Sequence, residues 1–422
     1  MEMEMEMEMK EDVVIIGAGI AGLATALGLK RVGIRALVLE KSPELRTTGA
    51  ALTLFPNAWL ALAALGLTKK LDSLYAPYKG GYITDVSNGA VQEIHYPRID
   101  GVISGPRTMQ RRNLLAALAE ELPADTIRFS TKISNSFETR IIDGATIIIL
   151  HLDDGTMIKT KILIGCDGVH SKVAHWLGLS APISSGRWAV GGLARYPQGH
   201  GFDHKFQQFL HEGRRAGITP INDTELQWFL VSNSSHNTGD EMNTYDPKLV
   251  QKNVLESLTD IPMVYDVVLG TDASSLTCSS LVFRVPWNVL FGKLSDGNIT
   301  VAGDAMHPMT PEIAQGACSA LEDAVVLVRH IGNSFHEHGK IIPGEVSKAI
   351  ELYVKERRWR VTALITGSFL SGWVQQIRSG WLTNFFRDKI FYKFIYGRIA
   401  DFVSYDCGKL PHNPSPIDEK LD

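Results

Sequence analysis

A glycine-rich turn between an apolar strand and a helix limits what this chain can fold into more than any other feature of its sequence. Residues 12–16 read Asp-Val-Val-Ile-Ile, a continuous apolar run typical of a parallel strand that is buried on both faces. Residues 17–22 read Gly-Ala-Gly-Ile-Ala-Gly, and residues 20–32 carry leucines among alanines, as a helix packed on a sheet does. The first glycine permits a tight turn, the second lets the backbone approach a pyrophosphate, and the third lets the helix lie close to the strand. The dinucleotide-binding residues predicted here are Gly17, Ala18, Gly19, Ala21 and Gly22.

An acidic residue closes the next predicted strand. Residues 35–40 read Arg-Ala-Leu-Val-Leu-Glu, which places Glu40 at the end of a second apolar run. A carboxylate at this position accepts hydrogen bonds from both hydroxyls of a ribose and repels a 2'-phosphate. The sequence therefore favours FAD or NAD(H) over NADP(H) as the resident nucleotide. The alternative, a glycine-rich turn followed by a surface glutamate, does not account for the order of strand, turn, helix and strand.

A second segment decides between these two nucleotides. Residues 297–311 predict a strand that ends at Gly303 and Asp304, followed by a proline-rich turn and a helix that starts near Gly316. Asp304 can bind the hydroxyls of an extended sugar alcohol, which FAD has and NAD lacks. The N–H groups of Gly316 and Ala317 at the helix start suit negative charge that develops at the N1–C2=O edge of a flavin. The segment therefore predicts FAD, because an ordinary strand-to-helix turn would not need both the Gly-Asp and the Gln-Gly pairs.

Together with a third motif, Lys-Ile-Leu-Ile-Gly-Cys-Asp-Gly-Val-His-Ser at residues 161–171, these segments resemble the class A flavoprotein monooxygenases of the para-hydroxybenzoate hydroxylase-like fold. Within that family the chain looks most similar to the plant salicylate hydroxylase-like and zeaxanthin epoxidase-like groups. The resemblance covers essentially the whole chain after the Met-Glu repeat at its start, and three separated motifs in the same order make it specific.

The resemblance assigns roles to further residues. It implies that Asp167 and Gly168 serve both FAD and a transient nicotinamide, and that Arg111 contacts FAD from the start of a helix. Arg46 and the turn that ends at Ala51 match the segment that runs past the isoalloxazine ring. From the residue types alone, solvent-facing arginines remain the alternative at both arginine positions.

Some positions depart from the family pattern. Ala314 stands where relatives often carry glycine, which reduces the freedom of the flavin-side turn at positive φ. Ala174 stands where the Asp-Gly motif usually ends in arginine, and Gly191 stands where relatives often place an arginine on the substrate strand. Arg195 lies on the same face of that strand and is a candidate to replace the missing cation, with a solvent-facing arginine as the alternative. No general base is identified, so the catalytic residues stay open.

The resemblance implies a reaction cycle. NADPH or NADH binds briefly, reduces FAD and leaves, and the reduced flavin takes up O2 to form a C4a-hydroperoxyflavin. This species hydroxylates or epoxidises an electron-rich aromatic ring, indole or alkene. Two alternatives stay open: a flavin-dependent reductase or oxidase of the same fold, and a flavin-binding protein without turnover. The single GxGxxG turn favours the monooxygenase, because reductases with two dinucleotide domains usually carry a second one.

The pattern of strands and helices predicts an α/β fold: a Rossmann-like FAD-binding domain with an inserted antiparallel-β substrate domain and a helical C-terminal region. The dipeptide Asn88-Gly89 between two alternating runs predicts a hairpin in the inserted part. The predicted FAD-binding domain comprises residues 11–79, 104–182 and 284–343. The predicted substrate-binding β domain comprises residues 80–103 and 183–283, with a disordered tail at residues 1–10 and the helical region and tail at residues 344–422.

Composition limits the partners. A formal net charge of -4 gives no global basic field for nucleic acid, so we expect a small hydrophobic or aromatic substrate and O2. The four cysteines lie far apart without metal-ligand spacing, which suits a reducing compartment and predicts a cytoplasmic protein without a metal. No apolar run is long enough for a transmembrane segment, although peripheral membrane contact by residues 361–403 stays open beside their packing on the core. The chain is expected to be a monomer or a homodimer.

Overall fold

The computed structural model describes residues 8–46, 51–96, 98–99, 102–103, 105–142, 145–233, 246–376 and 404–411. Its strands are β1 (Glu8–Ile16), β2 (Leu37–Leu39), β3 (Ala51–Leu54), β4 (Gly80–Asp85), β5 (Val91–His95), β6 (Arg98–Ile99), β7 (Val102–Ile103), β8 (Arg107–Gln110), β9 (Ile127–Arg128), β10 (Ile133–Ile142), β11 (Ala145–Leu152), β12 (Met157–Gly165), β13 (Ile183–Arg195), β14 (Phe206–His211), β15 (Arg214–Asn222), β16 (Glu225–Asn233), β17 (Thr277–Phe283), β18 (Ser295–Asp296) and β19 (Ile299–Val301). Its α-helices are α1 (Ile20–Arg31), α2 (Pro56–Ala64), α3 (Thr68–Asp72), α4 (Arg111–Ala119), α5 (Lys172–Trp176), α6 (Pro247–Glu256), α7 (Pro262–Leu269), α8 (Pro286–Leu290), α9 (Gly316–His338) and α10 (Pro343–Gln376).

The first of the two large sheets has a parallel centre. Strands β19, β12, β1, β2 and β9 lie side by side in that order and run parallel. The first part of β12 pairs antiparallel with β11, which continues to β10, and β18 pairs antiparallel with β19. Residues 13–16 of β1 are fully or almost fully buried, as their continuous apolar run predicts. The carboxyl ends of β1, β12 and β19 therefore meet at one edge of the sheet.

Helix α1 packs closely against α9 on this sheet. A Cβ placed on Gly28 of α1 would lie 3.0 Å from the Val328 side chain of α9, so the small residue permits the approach. Most of α1 is buried, which agrees with its leucines and alanines and its lack of a polar face.

A second sheet of seven strands has the order β17, β13, β16, β15, β14, β4, β5. Its pairs are antiparallel except for β14 with β4, and β4 and β5 form the predicted hairpin, in which Gly89 has φ +72°. One face of the sheet packs on α6 and α7 through a core that includes Trp228 and Val254. The sequence interpretation placed only strands in residues 183–283, so the two helices are an addition to it.

The α/β fold class is confirmed, and the predicted helical region after residue 343 begins with the 34-residue helix α10. Residues 404–411 pack back on the two long helices: the Tyr405 hydroxyl donates a hydrogen bond to Glu356, and Cys407 is fully buried. No helix in the described ranges is long and apolar enough to cross a membrane. Residues 8–10, which the sequence assigned to a disordered tail, instead belong to strand β1 and pair with β12. The other domain boundaries stay a prediction.

Candidate functional site

The glycine turn after β1 has the geometry that its sequence predicts. Gly17 has φ +101°, and a Cβ there would lie 2.5 Å from the carbonyl oxygen of Cys166. A Cβ on Gly22 would lie 1.9 Å from the Gly17 carbonyl oxygen, so neither position tolerates a side chain. A Cβ on Gly19 would meet no atom of the described chain within 4 Å, which leaves this side of the turn open for a pyrophosphate.

Glu40 lies beside this turn and is almost fully buried. Its Oε2 accepts a hydrogen bond from the Ala18 N–H at 2.8 Å, and its Oε1 accepts one from the Ser42 N–H at 2.9 Å. Each carboxylate oxygen has a second lone pair, so both can still accept a ribose hydroxyl. Glu40 therefore also ties the end of β2 to the glycine turn, a structural contribution that the sequence interpretation did not include.

Asp304 is presented to the same region by the turn after β19. Gly303 has φ +61°, and a Cβ there would lie 2.8 Å from the Ala21 Cβ of α1, so the turn fits closely against the first turn of that helix. Asp304 is exposed within residues 298–308, which are otherwise buried or nearly so. Protein atoms around the carboxyl reduce its contact with water, and this desolvation raises its pKa.

Arg111 begins α4 near this carboxylate. The positive charges of His307 and Arg111 oppose the rise in the pKa of Asp304, which shows that the guanidinium lies within electrostatic range. The Arg111 Nε is buried and has no hydrogen-bond partner among the described residues. A buried N–H without a partner costs free energy. An acceptor supplied by a bound molecule, such as a diphosphate or a sugar hydroxyl, would satisfy it.

Asp167 and Gly168 follow β12 and adjoin the glycine turn. A Cβ on Gly17 would lie 3.2 Å from the Asp167 Cα. The Asp167 Oδ2 accepts a hydrogen bond from the Lys172 N–H at 2.6 Å, whereas Oδ1 is buried without a partner in the described part of the chain. Burial raises the pKa of Asp167. Gly168, at φ +80°, borders open space and leaves room for a ligand.

The start of α9 supplies a free helix N-terminus. The helix begins at Gly316, and within the described residues it has neither a side-chain cap nor an acidic residue in its first turn. Ala314 adopts the left-handed conformation at φ +50° and ψ 36°, which favours glycine over alanine. The N–H groups of Gly316 and Ala317 are therefore available to an acceptor.

A buried polar network lies behind these turns, and the sequence interpretation missed it. Asp323 accepts hydrogen bonds from the Gly303 N–H at 2.8 Å, from His307 Nε2 at 2.5 Å and from Arg357 Nε at 2.7 Å. Burial would raise the pKa of Asp323, but the positive charges of His307 and Arg357 hold it at about 2. The signal in the sequence was the acidic pair at residues 322–323 inside an apolar helix.

Glu322 links the same network to the turn that precedes Gly316. Its carboxylate forms an ion pair with Arg360 at 2.6 Å and accepts a hydrogen bond from Asn57 Nδ2 at 2.5 Å. The same Asn57 group also lies 2.9 Å from Gln315 Oε1. The two acids of α9 therefore support the turn that carries Asp304 and the turn that precedes Gly316.

Arg195 and Arg46 are exposed, whereas Ala51 lies in β3 directly opposite Gln110 of β8. Arg195 ends β13 with a 63% exposed side chain, and its Nε lies 3.4 Å from Glu225 Oε1. Arg46 is exposed, and its neighbours Gly49 and Ala50 lie outside the described residues. Ala51 begins β3, where its carbonyl oxygen accepts a hydrogen bond from Gln227 Nε2 at 3.0 Å. The β3–β8 pair therefore contacts the second sheet.

A buried ion pair joins the second sheet to the proline-rich turn. Arg187 Nη1 of β13 lies 2.5 Å from Glu312 Oε1, and both side chains are almost completely buried. Arg215 of β15 donates to the Glu312 carbonyl oxygen at 3.3 Å. Glu312 stands two residues before Ala314, so these contacts hold the turn at the start of α9 against the sheet. The sequence interpretation did not include them.

Comparison with known proteins agrees with this architecture. Residues 10–368 match the family model described as FAD binding domain. Monooxygenase 2 of Arabidopsis thaliana is 40% identical over 412 residues, which cover 94% of this chain and 98% of that protein. Monooxygenase 1 of the same plant is 34% identical over 405 residues, or 94% and 99% of the two chains. The crystal structure of Klebsiella pneumoniae HpxO complexed with FAD and uric acid has a TM-score of 0.77 at 22% identity, over 94% of this chain and 98% of that chain.

The fold and the turns define an FAD-dependent monooxygenase of class A. The chain belongs to the FAD binding domain family, and the predicted family, enzyme class and flavin cofactor are confirmed. The residues present fit the cofactor, because the open side of Gly19 and the unsatisfied atoms of Arg111 and Asp167 lie around the turns that would hold it.

Proposed function

We propose that this chain is an NAD(P)H- and O2-dependent monooxygenase that hydroxylates or epoxidises an electron-rich small organic molecule. The observation that carries the proposal is the position of Asp304. It is an exposed acid in an otherwise buried segment, and it lies within electrostatic range of a guanidinium whose Nε lacks a partner among the described residues. This arrangement suits the sugar-alcohol chain of a flavin and has no evident structural purpose of its own.

The chain's own residues position the cofactor in this proposal. The turn at residues 17–22 and the start of α1 hold the pyrophosphate, Glu40 binds the adenosine ribose, and Asp304 binds the sugar alcohol. Arg111 donates the remaining hydrogen bonds to the sugar alcohol. Bound FAD would accept a hydride from the nicotinamide and activate O2.

Further residues would serve the flavin ring and the nicotinamide. The N–H groups of Gly316 and Ala317 stabilise negative charge at the pyrimidine edge of the flavin, because a helix N-terminus carries a partial positive charge. Asp167 and Gly168 border the path of the nicotinamide, and Arg46 and Ala51 lie on the segment that passes the ring. These roles follow from the family resemblance and from the open space or unsatisfied atoms at several of these positions.

The substrate is proposed to lie between the flavin edge and the face of the second sheet opposite α6 and α7. That face carries Phe229 and Leu193, which are half-buried and can contact an aromatic or hydrophobic molecule. The HpxO structure contains uric acid, a small heteroaromatic molecule, which supports a substrate of this size and class. We place the protein in the cytoplasm because its four cysteines are free within the described residues.

The test uses purified protein loaded with FAD. Anaerobic addition of NADPH or NADH should bleach the flavin absorbance, and ¹⁸O2 with an extract of small aromatic compounds should give products that carry one ¹⁸O atom. Reduced products without ¹⁸O would instead identify a reductase. Hydrogen peroxide alone with every substrate would identify an oxidase. A protein that stays colourless with excess FAD would refute the proposal.

A further inference from the structure

Large apolar side chains are exposed along α8 and α10. Trp287 is 64% exposed, Phe291 80%, Trp359 69% and Trp373 56%. We propose that these four residues, with Leu352, form an aromatic surface that docks on an anionic lipid bilayer. This inference is independent of the flavin chemistry, and it assigns a partner to a part of the molecule that the cofactor site does not use.

The exposed residues of α10 lie on one face of the helix. Leu352, Trp359 and Trp373 are separated by multiples of seven residues, so they line up along the outer side of the helix. The inner side carries fully buried residues such as Tyr353 and Ile365, which pack on the core. The outer face of α10 therefore combines large exposed apolar side chains with charged ones such as Glu351 and Lys355, whereas the outer face of a surface helix is normally mostly polar.

Helix α8 is fixed next to this face. Arg358 Nη1 donates hydrogen bonds to the carbonyl oxygens of Val289, Leu290 and Gly292, at 3.0, 2.7 and 2.9 Å. These carbonyls flank Phe291, and Arg358 precedes Trp359 in α10. The contact therefore holds the end of α8, where Phe291 is exposed, against the part of α10 that carries Trp359.

A groove of about 460 Å³ lies beside Trp359, and the side chains that line it carry the charge that would bind a lipid headgroup. Lys355 and Arg358 contribute two positive charges to its lining and Glu351 one negative charge, in a chain whose formal net charge is -4. Lysine and arginine next to tryptophan and phenylalanine are the composition of interfacial membrane-binding helices, where indole rings lie at headgroup level. An anionic phospholipid matches both the local positive charge and the apolar ridge.

The sequence that follows α10 has the same character. Residues 377–403 contain five arginines and lysines against two aspartates, together with many aromatic residues. The basic and aromatic composition therefore continues along the sequence after residue 376.

The experiment is vesicle flotation of the FAD-loaded full chain. Vesicles of phosphatidylcholine with phosphatidylserine should carry the protein to the top of the gradient, whereas phosphatidylcholine alone should retain little of it. The variant with Phe291→Glu and Trp359→Glu should bind the anionic vesicles at least about tenfold more weakly. Leu74→Glu, at a residue 62% exposed in the loop after α3, is the matched control and should bind as the parent does.

Three results would overturn the proposal. One is a lack of flotation with either vesicle, and another is equal flotation of the double variant and the parent. The third is a dimer of the parent in light scattering that the double variant abolishes, because the surface would then bind a second copy. Flavin absorbance and NAD(P)H oxidation should be unchanged in both variants, which separates loss of lipid binding from loss of folding.

Discussion

The backbone N–H of Gly303 lies 2.8 Å from the Asp323 carboxylate, so the turn that presents Asp304 is held by a buried acid of α9. The same carboxylate binds His307 and Arg357, and all three side chains are fully buried. The position of the Asp304 carboxylate in the proposed flavin site thus depends on an ion pair that is fully buried.

Replacing this acid should damage both folding and flavin binding. Asp323→Asn leaves Arg357 with a weaker partner and His307 without a carboxylate partner, which we expect to lower the free energy of unfolding by about 3 kcal/mol. The purified variant should also retain less FAD, because the Gly303 turn loses its anchor. Denaturant unfolding and the ratio of flavin to protein absorbance measure the two effects. Glu337→Gln, at an exposed acid of the same helix, should change neither.

The low pKa of Asp323 predicts a loss of stability in acid. Its folded-state value of about 2 lies below the usual value of about 3.9 for an unfolded aspartate. A depressed pKa contributes stability that is present above pH 4 and is lost as the pH falls toward 2, by about 2–3 kcal/mol for a shift of this size. The free energy of unfolding should therefore fall less between pH 4 and 2.5 in Asp323→Asn than in the parent. Parallel curves for the two proteins would contradict this assignment.

The parts of the site that the sequence predicted are the local ones. The glycine turn, Glu40 and the start of α9 are encoded in short segments, because each requirement is steric or electrostatic within a few residues of the backbone. The contacts of Asp323 with Gly303 and of Asn57 with Gln315 and Glu322 join segments far apart in the chain. No periodicity shows which distant polar residues will meet, so this network could not be predicted.

The second sheet shows the same limit. The sequence predicted the alternating strands of this sheet but not α6 and α7. Both helices are short, and their apolar faces are buried only because they pack on the sheet. Arg195 was a candidate for a position above the flavin, and the structure places it at a strand end beside Glu225 with most of its side chain exposed. Whether it serves the reaction stays a prediction.

Arg111 offers a direct test of the proposed cofactor contacts. Arg111→Ala removes the donor whose Nε has no partner in the described ranges, so we expect FAD to bind about ten- to hundredfold more weakly, the range for a lost charge-assisted hydrogen bond. Arg112→Ala is a matched control, because the neighbouring side chain is exposed. Fluorescence titration of the apoprotein with FAD gives both dissociation constants. Equal affinities would remove Arg111 from the site.

Breaking the buried ion pair between Arg187 and Glu312 should destabilise the fold. Glu312→Gln leaves the buried guanidinium without an opposite charge, which should cost about 3 kcal/mol of unfolding free energy. The double variant Arg187→Met with Glu312→Gln should recover part of this loss, because no unpaired charge remains. A double-mutant cycle in urea measures the coupling, and additive effects would show that the two side chains do not interact.

Ala314 tests whether the turn before α9 is strained. An alanine at φ +50° and ψ 36° costs roughly 1 kcal/mol relative to glycine, because its Cβ approaches the following carbonyl oxygen. Ala314→Gly should therefore raise the free energy of unfolding by about 0.5 kcal/mol after the greater entropy of unfolded glycine is subtracted. Ala317→Gly, inside the first turn of α9, should lower it by about 0.5–1 kcal/mol, because there glycine relieves no strain. Opposite signs of the two stability changes would show that the effect at Ala314 comes from its backbone conformation and not from the loss of an alanine methyl group. If both variants were destabilised equally, the left-handed assignment of Ala314 would be wrong.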